Sequence, residues 1–111
     1  MKKLLLILSS AILLSIYAQA QSLYIIGDAV SDWDNALEMK SVSQESGIEM
    51  YCWIGDMNPG SFKFRSNPYD WYGQYNLGSE STVTINGRTP LNYNKGNCTI
   101  SSAGKYIVFV Q

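Results

Sequence analysis

Apolar positions along the chain recur with period two over short stretches, and nowhere after residue 20 with the three-to-four spacing of an amphipathic helix. Ser22 to Gly27 is a short apolar run between turn residues and predicts a first strand. Ala36 to Lys40 predicts a second, short one, followed by a polar turn over Ser41 to Gly47. Glu49 to Asp56 predicts a firm strand with two apolar faces, Tyr51 and Trp53 on one and Met50, Cys52 and Ile54 on the other. Asn58-Pro59-Gly60 is a turn signal, since Pro presets φ and Gly accepts positive φ, and it predicts a hairpin into Ser61-Phe62-Lys63-Phe64-Arg65. In that strand Phe62 and Phe64 face a core, so Lys63 and Arg65 share the opposite face. Ser81 to Asn86 alternates again and ends on the tight-turn pair Asn86-Gly87. After an irregular polar stretch from Pro90, Asn97 to Ile100 begins another strand, and Lys105 to Val110 closes the pattern. Six or seven short strands separated by turn residues predict an all-β fold, an antiparallel sandwich in one small domain.

Residues 1 to 20 follow a different pattern. Lys2-Lys3 precedes an apolar run from Leu4 to Ile16, and Ala18-Gln19-Ala20 offers a small-residue cleavage site. Ser9, Ser10 and Ser15 interrupt the run, which is short for a membrane span. This predicts a secretory signal, a mature chain beginning at Gln21, and a periplasmic or extracellular, cell-surface-associated protein. No Cys stands near the cleavage site, so the chain is not expected to be a lipoprotein or to carry a direct membrane anchor.

Without Lys2 and Lys3, six basic residues face nine acidic ones, a balance that argues against nucleic acid as a partner. Histidine is absent, which removes the commonest general base and metal ligand. The acidic loop from Asp28 to Asn35 surrounds a lone Trp33 but lacks the glycine and terminal Glu of a calcium-binding loop, so no metal or other cofactor is expected. Glycoside hydrolysis needs two carboxylates held across a cleft, and Asp32, Asp34 and Asp70 are only loop residues, so no enzyme is expected. Cys52 and Cys98 in an exported chain favour a bridge, which would contribute about 4 kcal/mol by restricting the unfolded state.

One constellation points to chemistry. Lys63 and Arg65 on one sheet face are followed, after a Ser-Asn-Pro break, by Trp71-Tyr72. An aromatic plate beside cationic donors suits a polyhydroxylated ligand, the rings covering its apolar face and the cations donating to hydroxyls. The other reading of the same residues folds Trp71 back as a lid on the core.

Several pieces in order resemble the SusE/SusF-type starch-binding domains. They are Leu23-Tyr24-Ile25-Ile26-Gly27-Asp28-Ala29 followed by Trp33, the Tyr51-x-Trp53-x-Gly55 segment, Met57-x-Pro59-Gly60-x-Phe62-Lys63-Phe64, the Trp71-Tyr72 pair, and Ala103-Gly104-Lys105-Tyr106. The resemblance spans essentially the whole chain after residue 20. It implies an immunoglobulin-like sandwich that binds α-glucan without cleaving it, in a Bacteroidetes-type polysaccharide-utilisation system whose other envelope proteins are possible partners. It implies that Trp71 stacks on a glucose face and Lys63 donates to hydroxyls, with Tyr72, Arg65 and Trp33 as further contacts and Asn97 at a position where the family often has an Asn. It also places Tyr51, Trp53 and Met57 inward, and Cys98 inward with Ile100. Cys52 then points outward by parity, which predicts two unpaired thiols against the export argument. The alternative function is a structural or protein-interaction sandwich of the cell envelope with no glycan site.

Overall fold

The computed structural model describes residues 22–45, 48–68, 76–93 and 96–111. The signal expected over residues 1–20 and the Trp71-Tyr72 pair lie outside the described residues. Strands β1 (Tyr24–Ile26), β2 (Leu37–Glu38), β3 (Lys40–Glu45), β4 (Ile48–Met57), β5 (Gly60–Arg65), β6 (Asn76–Gly78), β7 (Asn92–Tyr93), β8 (Cys98–Ile100) and β9 (Gly104–Val110) follow in chain order. One sheet runs β2-β1-β5-β6-β7, with β8 also on β5, and the other runs β3-β4-β9. Every ladder between named strands is antiparallel, so the all-β antiparallel sandwich is the observed fold class.

The core lies between the sheets and follows from strand parity. Ile25, Phe62, Phe64, Cys98 and Ile100 supply it from the first sheet, and Met57 and Val110 from the second. Tyr51, Trp53, Tyr106 and Val108 pack partly buried against it, so the two-faced strand β4 turns its aromatic face inward. Phe62 and Phe64 meet edge to face, with centroids 5.7 Å apart and planes at 88°, an arrangement that adds about 0.5–1.5 kcal/mol to their burial.

Four sequence expectations need correction. Asn58-Pro59-Gly60 does not close a hairpin: β4 pairs with β3 and β9, whereas β5 pairs with β1, β6 and β8, so the turn carries the chain from one sheet to the other. A hairpin and an inter-sheet arch use the same turn residues, and only the strand partners separate them. Of the stretch expected as a polar turn, Ser41 to Glu45 lies in β3, which pairs with β4 through a register shift between Ser41 and Ser43. An edge strand is held by backbone bonds on one side and needs no apolar alternation. Conversely, Ser81 to Asn86 is not a strand. It meets β8 in one parallel bridge, Thr82 to Thr99, supported by Val83 N–H to Thr99 O (2.9 Å) and Thr99 N–H to Ser81 O (3.2 Å). The turn at Asn86-Gly87 does form, with Asn86 at φ 59°. Finally, the irregular stretch after Pro90 contributes the two residues of β7.

Candidate functional site

The loop leaving β1 sets the position of β5. At Gly27, where φ is 139°, a Cβ would stand 2.3 Å from the Ser61 carbonyl oxygen and 2.6 Å from the Phe62 Cα. Only a residue without a side chain permits that approach. Beyond it, Ser61 N–H donates to Asp28 Oδ1 at 2.8 Å, Ala29 N–H donates to Ser61 O at 3.1 Å, and Asn58 N–H donates to Ala29 O at 2.9 Å. The loop is thereby tied to both ends of the inter-sheet arch. A Cβ on Gly60 would crowd the Asp28 carboxylate at 3.0 Å, so Gly60 also serves a close approach.

This clamp places Tyr24 opposite Arg65, Ile25 opposite Phe64 and Ile26 opposite Lys63. Strand partners share a face. Since Phe64 and Ile25 face the core, Tyr24, Ile26, Lys63 and Arg65 line the outward face of the first sheet, joined by Asn76 through its pairing with Arg65. Lys63 and Arg65 therefore share a face, as alternation predicts. Their exposure differs: Lys63 is half-buried, but Arg65 is 2% exposed, Asn76 4% and Ile26 0%. Ile26 is no part of the core between the sheets, so this outward face carries a covered layer of its own. A guanidinium stays charged at any accessible pH, and its burial here replaces the solvent-facing donor that sequence parity leads one to expect.

The remaining expected site residues fall as follows. Trp33 is half-buried in the loop that starts one residue beyond Ile26, at the Lys63 end of the face. Asn97 is exposed and directly precedes Cys98, whose partner on β5 is Phe62, the neighbour of Lys63. Trp71 and Tyr72 lie outside the described residues. By register, Lys63 pairs with Ile26, just before the loop that carries Trp33, and stands one residue beyond Phe62, the partner of Cys98, which Asn97 precedes; Arg65 lies two residues further along β5 and is buried. Tyr24 and Asn76 are additions. The parity of the first strand carried a signal for Tyr24, but nothing local marked Asn76, which joins the face only through pairing.

The acidic loop is self-satisfied. Asp32 Oδ1 accepts from the N–H groups of Asp34 and Asn35, each at 2.8 Å, and the Asn35 side-chain amide donates to both carboxylate oxygens at 3.0 and 2.8 Å. These bonds, the Asn35 side chain first, hold the Asp32 carboxyl below its ordinary value. The carboxylate builds the turn that presents Trp33. Among the described residues, no three acidic or thiol groups converge to hold a metal ion.

The two thiols are free and sit in different sheets. Cys98 is fully buried in the core, while Cys52 is half-buried on β4, opposite the exposed Phe109. Burial pushes the Cys98 thiol up, against smaller opposing effects from Ser79 and the Lys63 charge, which keeps it protonated and unreactive. Parity, rather than export, decided their pairing. No helix among the described residues is long and apolar enough to cross a membrane. No protein-family model, curated protein or solved structure matches the chain.

Proposed function

We propose that the protein is a non-catalytic glycan-binding module of the cell envelope, with an α-glucan of the starch or maltooligosaccharide type as its ligand. The observation that carries this reading is the partly accessible Lys63, placed by the Gly27-Asp28 clamp between the Trp33 loop and the exposed Asn97. In this reading a primary ammonium and an amide supply the donors, and an indole the apolar surface, that a sugar ring uses. Trp71 and Tyr72, which follow Arg65 in the chain, are the stacking platform in this reading. It also takes the sandwich as immunoglobulin-like and the chain as exported.

The burial of Arg65 favours a second reading, a structural or protein-interaction sandwich without a sugar site. Isothermal titration with maltooligosaccharides of increasing length separates the two. The glycan reading expects affinity to rise with chain length, to vanish in Trp71→Ala, and to fall modestly in Lys63→Ala, where one hydrogen bond worth about 1 kcal/mol is lost. Absence of heat at millimolar ligand from the folded wild type would sink it.

A further inference from the structure

Among the described residues five strands have a single ladder partner, and their open edges differ; β8, on β5, is three residues long and meets Thr82 in a bridge. In the first sheet, β2 and β7 are each two residues long, and short edges offer little for another strand to pair with. In the second, β3 is interrupted by its register shift and carries Lys40 at its start. β9 is neither short nor interrupted, and it shares with β3 only a lysine near its start. It runs seven residues, pairs with β4 in an unbroken register from Met57–Gly104 to Tyr51–Val110, and carries one charge, Lys105, near its first residue. Among the described residues it pairs with β4 alone. Its outward side chains Ile107 and Phe109 are 61% and 60% exposed, beside Ile54 of β4 at 63%.

A cleft of about 1220 Å³ meets the same edge. It is lined from inside by Phe62, Cys98, Val108 and Val110, by the stretch 83–91, and also by Ile107 and Phe109, which stand on the opposite face of β9. Residues of both faces line it, so its mouth runs along the open side of that strand. A strand added there would complete the backbone ladder, extend the outer apolar row, and close the gap between the sheets.

We propose that the occupant is a second copy of this chain, joined β9 to β9 in antiparallel register about a twofold axis at Val108, so that the two three-stranded sheets become one of six strands. The strand is self-complementary in that register. Ile107 of each copy stands opposite Phe109 of the other on the outer face, an aromatic–β-branched pair made twice. On the inner face Tyr106 meets Val110 and Val108 meets Val108, which brings the second copy's apolar side chains to the cleft mouth. Lys105 falls opposite Gln111, so no like charges oppose each other. A register centred on Ile107 instead sets Gly104 against Val110 and Lys105 against Phe109, and is the poorer match. The interface is independent of the glycan reading, because Lys63 lies in the other sheet.

Sedimentation equilibrium of the purified protein tests this, with the expectation of a reversible dimer at high micromolar concentration. Ile107→Lys/Phe109→Lys, which places lysine opposite lysine twice at exposed positions, should weaken the dimer at least about tenfold with an unchanged circular dichroism spectrum. Ile107→Lys/Phe109→Glu sets opposite charges across the twofold and should restore it. In the unmodified protein, amide exchange along β9 should slow as concentration rises, a readout that needs no variant. A wild type that stays monomeric, a dimer that survives the double lysine substitution, or β9 exchange that ignores concentration would overturn the proposal. So would a monomer that pairs at β9 only with a strand from a different protein.

Discussion

Replacing Gly27 with alanine tests whether the loop after β1 really positions β5. The new Cβ would overlap backbone atoms, the Ser61 carbonyl oxygen at 2.3 Å and the Phe62 Cα at 2.6 Å, neither of which can swing aside as a side-chain tip can. Alanine at φ 139° is also strained, at about 1–3 kcal/mol. To relieve the overlap, Ser61 must move away from the loop, which weakens both Ala29 N–H to Ser61 O (3.1 Å) and Ser61 N–H to Asp28 (2.8 Å). These bonds net about 1 kcal/mol each. Together the effects come to about 3–5 kcal/mol, a large share of the 5–15 kcal/mol that holds a typical domain. For a domain of this size, 3 kcal/mol lowers Tm by about 12 °C or more. Urea unfolding at fixed m-value measures it directly. Asp28→Ala is the control: it removes one exposed acceptor without a clash, and should cost only about 1 kcal/mol. If Gly27→Ala stayed within 1 kcal/mol of wild type, the clamp would not be what sets the β1–β5 register.

Two further outcomes follow from the side chains. Burial, with the hydrogen bond to Glu49, pushes the Tyr51 hydroxyl up to about 12 from its ordinary 10.0. The folded state therefore holds the Tyr51 proton more tightly than the unfolded chain, and this contribution to stability, complete below about pH 10, is lost as pH rises toward 12. Denaturant titrations across that range should show stability falling, and Tyr51→Phe should flatten the fall without removing it, because the Cys98 thiol is raised with the same sign. For the thiols, a reagent applied to native protein should modify Cys52 and spare Cys98 until the chain is unfolded; one-to-one loss of both in an oxidised species would contradict their placement in separate sheets.

What the chain's own pattern determined is what depends on neighbours in sequence. Apolar runs bounded by turn residues placed β4 and β9, and period-two alternation placed β5, put Phe62 and Phe64 in the core, and set Lys63 and Arg65 on one face, because a strand's side chains alternate whatever it pairs with. The same parity put Cys52 on the face opposite Tyr51 and Trp53, but which of those faces turns inward was decided by packing. The tertiary structure alone decided everything that depends on partners distant in sequence. Asn58-Pro59-Gly60 bends the chain equally well into a hairpin or across to another sheet, and the pairing of β5 with β1 made it an arch. Polar Ser41 to Glu45 became a strand because β4 offered a backbone edge, and Ser81 to Asn86, despite its alternation, found only one bridge on β8. Arg65 shows the division within a single residue. Its face was legible from two positions' spacing to Lys63, but its 2% exposure was not, since solvent access is a property of what covers a face and parity describes only the face.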